Sequence, residues 1–136
     1  MSIKKQSRLT LVGAALVGLL AGADRASAHH GAAAYEAPLT TPLTTLTATV
    51  TGFDWRNPHA LIHFDVTDDT GAIAAWTAET AGLVILVRAG WHREVLKPGD
   101  RITVVGRRAL NGTHAMLLQR LTFSDGRTLN SFIPPR

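Results

Sequence analysis

The residues best suited to metal chemistry are two adjacent histidines, His29 and His30, which directly follow a run of small residues. If the chain is cut before them, His29 becomes the first residue and carries a free amine. That amine and the ring Nδ1 of His29 chelate one copper ion as a histidine brace. Alternatively, the amide and ring of His30 join the amine. Nitrogen ligands suit copper, which binds them more tightly than other divalent ions do. The alternative is that the two histidines form only a polar start to the mature chain, which assists cleavage of the leader and binds no metal.

Two further histidines, His59 and His63, lie four residues apart on one predicted strand. Their rings are therefore about 13 Å apart along the strand and project in parallel. This separation is too long for one shared metal ion, but either ring can join His29 across space. The alternative is that both are ordinary side chains on a polar face. The other candidate copper ligands are scattered and favour no site: His92, His114 and Met116.

A second candidate surface, for a ligand or a protein partner, surrounds Trp55. If Trp55 and Arg56 are exposed, they form a stacking surface, while Asn57 before a proline serves the backbone. Glu79 is a strand carboxylate on the polar side, and no second carboxylate is placed to form an acid–base pair with it. The chain has no cysteine and no hydrolase or phosphate-binding motif. The sequence therefore favours a binding module without enzymatic activity.

The first 28 residues are typical of a secretory signal peptide. A basic start precedes the uncharged apolar run 9–22, and the segment closes on Ala26-Ser27-Ala28, an A-x-A cleavage site. The apolar run is shorter than the roughly 20 residues that span a bilayer as a helix. We therefore expect cleavage near Ala28, a periplasmic or secreted protein, and no transmembrane segment in the mature form.

This cut changes what the net charge of +4 implies. Four of the 14 Lys and Arg residues and one of the 10 Asp and Glu residues leave with residues 1–28, so the remainder carries about +1. The basic character belongs mostly to the leader, and no nucleic-acid partner is expected. Without disulfides, residues 29–136 must fold on one hydrophobic core, which suits a single small domain.

The remaining sequence alternates with the period of β-strands. Within the segment 43–55, threonines alternate from Thr45 to Thr51, and Gly52 indicates a bulge that lets this long strand bend. In the segment 60–68 Ile62 and Phe64 share one face, whereas His59 and His63 take the other. Three later strands are expected at 73–80, 101–109 and 116–124, with hairpin turns at Asp68–Gly71, Asn111-Gly112 and Asp125-Gly126.

One short helix is expected between the third and fourth strands. Leu83, Leu86 and Val87 repeat with helical spacing, Thr80 is a candidate N-cap, and Gly90 ends the segment. This order predicts an all-β fold with one short helix, in the form of a small OB-like five-stranded barrel. An antiparallel β-sandwich is the alternative. The expected organisation is a signal peptide at 1–28, an extended N-terminal arm at 29–41, an OB-like β-barrel domain at 42–130 and a C-terminal tail at 131–136.

Several stretches resemble a family of small exported bacterial proteins that is known only as a domain of unknown function. They are "HHG" after the leader, "DWRNPHALIHFDV", "WTAE", "RAGWHREVLKPGDRITVVGR" and "FSDGRTL". The resemblance covers nearly all of residues 29–136. It implies export and a small β-rich fold, and it implies no reaction.

These observations predict an exported, non-enzymatic binding module that presents His29 and His30, with His59 or His63, to copper or to a partner protein. Two alternatives remain open. One is a metal-independent structural or adaptor protein in an envelope complex. The other is a histidine-brace copper enzyme, which requires a third nitrogen ligand close to His29.

Overall fold

The computed structural model describes residues 34–35 and 42–132. The expected signal peptide, its cleavage site, His29 and His30 lie outside these residues, as do residues 133–136. Within the described part the secondary structure consists of the following elements: β1 (Thr44–Asp54), β2 (Leu61–Thr67), β3 (Ile73–Glu79), α1 (Leu83–Arg88), β4 (Arg101–Arg108), β5 (Ala115–Phe123) and β6 (Thr128–Asn130). The five expected strands and the helix are confirmed to within two residues at their ends.

The strands close into a barrel. The sheet runs in the order β3-β2-β1-β4-β5-β6, and a parallel pairing between β3 and β5 joins its two sides. Around the barrel the order is therefore 1-2-3-5-4, with α1 between β3 and β4, which is the OB-like arrangement that the sequence predicts. The sixth strand, β6, adds to β5 after the turn at Asp125-Gly126 and was not expected, although its residues lie within the expected domain at 42–130.

The first strand bends so that it serves two neighbours. Its first half pairs with β4, from Thr44 opposite Gly106 to Thr49 opposite Arg101, and its second half pairs with β2. The register with β2 shifts between Val50 and Gly52, which confirms the bulge expected at that glycine. A bulge increases the local twist, and this twist lets one strand belong to both sides of a small barrel.

The core is built by the alternation of β1, β2, β4 and β5. Ile62 and Phe64 are fully buried, while Leu61 and His63 beside them are only half-buried. Trp91, in the loop after α1, is also buried, and its indole N–H donates to the Asn130 carbonyl at 2.8 Å. This bond connects the loop to β6. No buried side-chain N or O atom in the described part of the chain lacks a hydrogen-bond partner.

The helix ends just before Gly90, as expected, but it differs from the sequence expectation at its N-cap and at Val87. Its N-cap is Gly82, and Thr80 is not a cap. The buried Thr80 hydroxyl instead lies 3.0 Å from the carbonyl oxygens of Ala60 and Ala81, so it joins the chain entering β2 to the chain leaving β3. Leu86 is buried as expected, but Val87 is 60% exposed. A helix of only six residues packs one narrow side against the barrel, so most of its side chains face solvent. Among the described residues no helix has the length and apolarity needed to cross a bilayer.

Candidate functional site

Three polar side chains meet beside the ends of β2 and β3, and we call them the Tyr35 cluster: Tyr35, His59 and Glu79. The Tyr35 hydroxyl donates to Oε2 of Glu79 at 2.8 Å. The other oxygen of the same carboxylate, Oε1, lies 3.7 Å from Nε2 of His59. The side chains of His59 and Glu79 are 38% and 26% exposed, respectively. Glu79 therefore contacts the arm with one oxygen and faces a ring nitrogen with the other.

The β2–β3 hairpin brings His59 and Glu79 together. The two strands pair with Leu61 opposite Glu79, and beyond the strand ends the Thr80 N–H still donates to the Ala60 carbonyl. His59 is the next residue along the chain, so its ring lies beside the end of β3. The turn at Asp68–Gly71 determines this register, because a hairpin loop fixes which residues face each other. The sequence therefore contains the signal for this pair.

Tyr35 reaches the cluster from the N-terminal arm. It forms an antiparallel bridge with Ala109, just after β4. The adjacent Leu110 N–H donates to the Ala34 carbonyl at 3.0 Å. Residues 34 and 35 thus add a short strand-like contact at the barrel end where β3, β4 and β5 meet. Nothing in the sequence indicates this contact, and Tyr35 was not among the expected site residues.

A backbone carbonyl determines which nitrogen of His59 carries the proton when the ring is neutral. Nδ1 lies 2.9 Å from the carbonyl oxygen of Thr80. A carbonyl oxygen only accepts hydrogen bonds, so Nδ1 must be the donor. In the neutral ring the lone pair is therefore on Nε2, the nitrogen that faces Glu79. Metal-binding histidines in proteins are typically held in this way, with the other ring N–H on a carbonyl or carboxylate.

Burial, together with the hydrogen bond to Glu79 and the charge of that carboxylate, raises the pKa of Tyr35 far above its usual range. Each cause acts against the phenolate, since a buried negative charge beside a second one is unfavourable. An ordinary tyrosine ionises near pH 10. Because the folded-state pKa is raised, Tyr35 contributes stability below about pH 10, and this contribution is lost as the pH rises further.

This shift can be measured directly, because Tyr35 is the only tyrosine in the chain. We expect the ultraviolet absorbance of tyrosinate to stay low in the native protein well past pH 10 and to rise at about pH 10 in denaturant. Glu79→Gln removes the neighbouring charge and should bring the native titration back toward the ordinary value. A native titration at the ordinary value would show that the contact between Tyr35 and Glu79 does not form in solution.

A second polar group, which we call the His63 cluster, lies on the same outer face: Asp54, Arg56, His63 and Thr77. Nε2 of His63 is 3.2 Å from Oδ2 of Asp54, and Nδ1 is 3.4 Å from the Thr77 hydroxyl. The Arg56 guanidinium lies 3.5 Å from the same Asp54 oxygen. Both ring nitrogens of His63 thus face polar partners within the sheet, and neither faces His59.

The other expected residues are distributed around the barrel. Trp55 is half-buried with its ring edge-to-face on Phe53, at 5.7 Å between centroids, and its neighbours Arg56 and Asn57 are exposed. His114 stacks on Trp76 at 4.9 Å. Met116 is fully buried, so its sulfur is not available to a surface metal ion. Within the described ranges no three His, Asp or Glu side chains converge as a metal site.

A cleft of about 420 Å³ lies between the α1–β4 loop and the β5–β6 turn. Its acidic and basic side chains balance, and two of the acids are already engaged. Asp100 accepts the Lys97 backbone N–H at 2.9 Å, and Asp125 pairs with the Arg127 guanidinium at 2.9 Å. Backbone and side-chain hydrogen bonds from Arg127 lower the pKa of Asp125. This charge balance favours no particular class of ligand.

Comparison with known families gives one match. The sequence profile of the family of unknown function DUF6152 matches residues 15–118. The chain belongs to this family. No curated protein and no solved structure matches it significantly. The matched part of this DUF6152 protein includes Tyr35, His59 and Glu79, and it ends within β5.

The Tyr35 cluster of this DUF6152 protein lies where OB-like barrels usually bind ligands. In such barrels the β2–β3 face and the loops after β1 and β4 form the binding surface. Here the loop after β1 supplies His59, β3 supplies Glu79, and the chain after β4 contacts the arm. The barrel therefore presents one ring nitrogen and one carboxylate oxygen at that position, next to the point where the arm is attached.

Proposed function

We propose that this protein is an exported, non-enzymatic copper-binding module, in which His29 and His30 bind the ion at the mature N-terminus. The observation that supports the proposal most is the Tyr35 cluster. Tyr35 attaches the arm to Glu79 at 2.8 Å, beside a histidine whose Nε2 lone pair faces the same carboxylate. The arm that carries the two histidines is thus connected to the barrel at a point where a further nitrogen ligand is present.

The length of the chain is consistent with this arrangement. Tyr35 follows His30 by five positions, and five steps along the chain span at most about 18 Å when fully extended. His59 lies next to the carboxylate that holds Tyr35, well inside that range. His63 is left out of the proposed ligand set, because its two ring nitrogens face Asp54 and Thr77.

The available donors favour the oxidised, divalent ion. They are an amine, imidazoles and a carboxylate, which suit Cu²⁺, whereas thiolates and thioethers select Cu⁺. The chain has no cysteine, and Met116 is buried in the core. Export is supported by the layout of residues 1–28, which also makes His29 the first residue after cleavage.

The test is native mass spectrometry of the protein exported through its own leader, with and without added copper. We expect a mass that begins at His29 and increases by one copper ion retained through desalting. A different N-terminus contradicts the proposal. A mass that begins at His29 without retained metal also contradicts it and leaves the adaptor role, which a metal-independent envelope complex in a pull-down would support.

A further inference from the structure

We infer that helix α1 is a membrane-docking element, whose outward aliphatic face inserts into the surface of an anionic lipid bilayer. We call the side chains concerned the α1 face: Val84, Ile85, Val87 and Arg88. The inference is independent of the copper proposal, because none of these residues is a candidate ligand and the docking requires no metal ion.

The composition of α1 does not suit its position on the protein surface. Its sequence is LVILVR, five aliphatic residues followed by one arginine, and only Leu86 is buried. Val84 is 68% exposed, Val87 60% and Ile85 38%. A helix that is apolar on all sides is normally covered by the rest of the protein or by lipid. Single exposed aliphatic side chains are common on proteins, but three within four residues form a patch.

The exposed side chains share the side of the helix that faces away from the barrel. Successive residues of an α-helix are rotated by about 100°, so Val84 and Arg88 both lie about 160° from Leu86 around the axis. Val87 and Ile85 flank them on either side. Because Val84 and Arg88 are one turn apart, they are neighbours on the surface. An arginine there reaches lipid headgroups while its methylene groups lie along the apolar surface.

Contacts at both ends of α1 hold this face outward. At the N-terminal end the Ala81 N–H donates to the Ser131 hydroxyl at 3.0 Å. At the C-terminal end Gly90, with a φ of +90°, lets the Trp91 N–H donate to the Leu86 carbonyl at 2.9 Å. Leu86 and Trp91 are both buried in the core. The helix therefore cannot turn its aliphatic side inward without disrupting the core packing.

The charges around the α1 face favour an anionic surface. Between Glu79 and Glu94 the chain carries no acidic residue, but it carries Arg88 and Arg93, which are both exposed. Neither guanidinium forms an ion pair with a described carboxylate. Basic residues beside an apolar helix face add electrostatic attraction to anionic headgroups. The surface that binds α1 is therefore expected to be negatively charged.

The kind of apolar residue favours lipid over a protein partner. Protein interfaces obtain most of their binding energy from tryptophan, tyrosine and arginine side chains that enter pockets, whereas valine is under-represented among them. The α1 face consists of short branched side chains that project from the surface, and the 420 Å³ cleft is lined by other residues. A bilayer accepts such a projection without a complementary pocket. Binding is expected to be weak and reversible, since only a few aliphatic side chains enter the apolar region.

The experiment measures co-sedimentation of the mature protein with anionic phosphatidylglycerol vesicles and with neutral phosphatidylcholine vesicles, in the presence of a metal chelator. The protein is exported through its own leader, and its mass is checked for loss of the apolar run 9–22, because that run would itself bind lipid. We expect binding to phosphatidylglycerol to be at least about tenfold tighter than binding to phosphatidylcholine. The difference should decrease as salt screens the two cations.

The decisive variant is Val84→Glu, and Ile73→Glu is its matched control. The two residues are 68% and 67% exposed, and Ile73 lies at the end of β3 that is remote from α1. Both substitutions replace an exposed aliphatic side chain by a carboxylate and change the net charge equally. Val84→Glu should reduce the affinity for phosphatidylglycerol vesicles by at least about tenfold, because it places a negative charge in the docked surface. Ile73→Glu should leave it within about threefold of the wild type.

Further measurements separate docking from folding and from self-association. Arg88→Gln should weaken binding to phosphatidylglycerol vesicles and leave binding to phosphatidylcholine vesicles unchanged. Val84→Glu and Ile73→Glu should unfold at the same temperature without lipid, since both side chains are exposed. Absence of wild-type binding to phosphatidylglycerol, or equal affinities in Val84→Glu and Ile73→Glu, would overturn the inference. A dimer that Val84→Glu dissociates would also overturn it, because a second copy would then cover the α1 face.

Discussion

Replacing His29 and His30 together by alanine is expected to weaken copper binding by at least about 100-fold, which corresponds to roughly 2.7 kcal/mol at about 1.4 kcal/mol per factor of ten. The variant keeps the terminal amine and the backbone amides but loses both imidazoles, and with them the chelate rings that the imidazoles close with the amine. Competition with a copper-specific chelator of known affinity measures the change. The free energy of unfolding without metal should not change, because both residues precede the first strand, which begins at Thr44.

The matched control for this prediction is His92→Ala. His92 is exposed in the cleft between the α1–β4 loop and the β5–β6 turn, away from the Tyr35 cluster. Its replacement removes an imidazole without removing a proposed ligand, so copper affinity should be unchanged. Equal losses in the control and the double variant would point to non-specific binding by surface histidines. Wild-type affinity in the double variant would contradict a copper site at the terminus.

Gly106→Ala is expected to destabilise the barrel by about 3 kcal/mol. Gly106 is buried in β4 at the register shift opposite β5. An added Cβ would overlap the carbonyl group of Leu117 on β5. Because the obstacle is backbone, no rotamer change relieves it, and the two strands must separate. For a domain of this size, 3 kcal/mol lowers the midpoint of thermal unfolding by roughly 12–24 °C, which circular dichroism measures.

The chain offers a close control in Gly52→Ala. Gly52 is also a strand glycine beside a register shift, but the nearest atoms to an added Cβ there belong to the His63 side chain, at 3.5 Å and beyond. That is ordinary van der Waals contact, so the free energy of unfolding should change by less than about 1 kcal/mol. If both variants lost stability equally, the cause would be the general restriction of strand glycines and not the close approach of β4 to β5.

Much of the fold follows from local patterns in the sequence. The alternation in β1 and β2 separates buried from outward residues, because successive side chains of a strand point to opposite faces. Gly52 indicates the bulge, and the order of strands and helix indicates the OB-like barrel. The sixth strand was not predicted, because three residues are too few to show a period. The cap at Thr80 was wrong, since that hydroxyl has nearer partners in Ala60 and Ala81.

Part of the candidate site can also be predicted from the sequence. His29 and His30 are conspicuous in sequence because they directly follow Ala26-Ser27-Ala28, the expected cleavage site. The pairing of His59 with Glu79 can be read from the hairpin, since the turn at Asp68–Gly71 fixes the register of β2 and β3.

By itself, then, the sequence determined which side chains face inward and where the chain turns, and it singled out the histidines as candidate ligands. The tertiary structure alone decided that Tyr35 holds Glu79 and that His63 is engaged by Asp54 and Thr77. The physical reason is distance along the chain. Tyr35 and Glu79 are 44 residues apart, and they meet only because β3, β4 and β5 close the barrel. Local periodicity contains no information about such a contact.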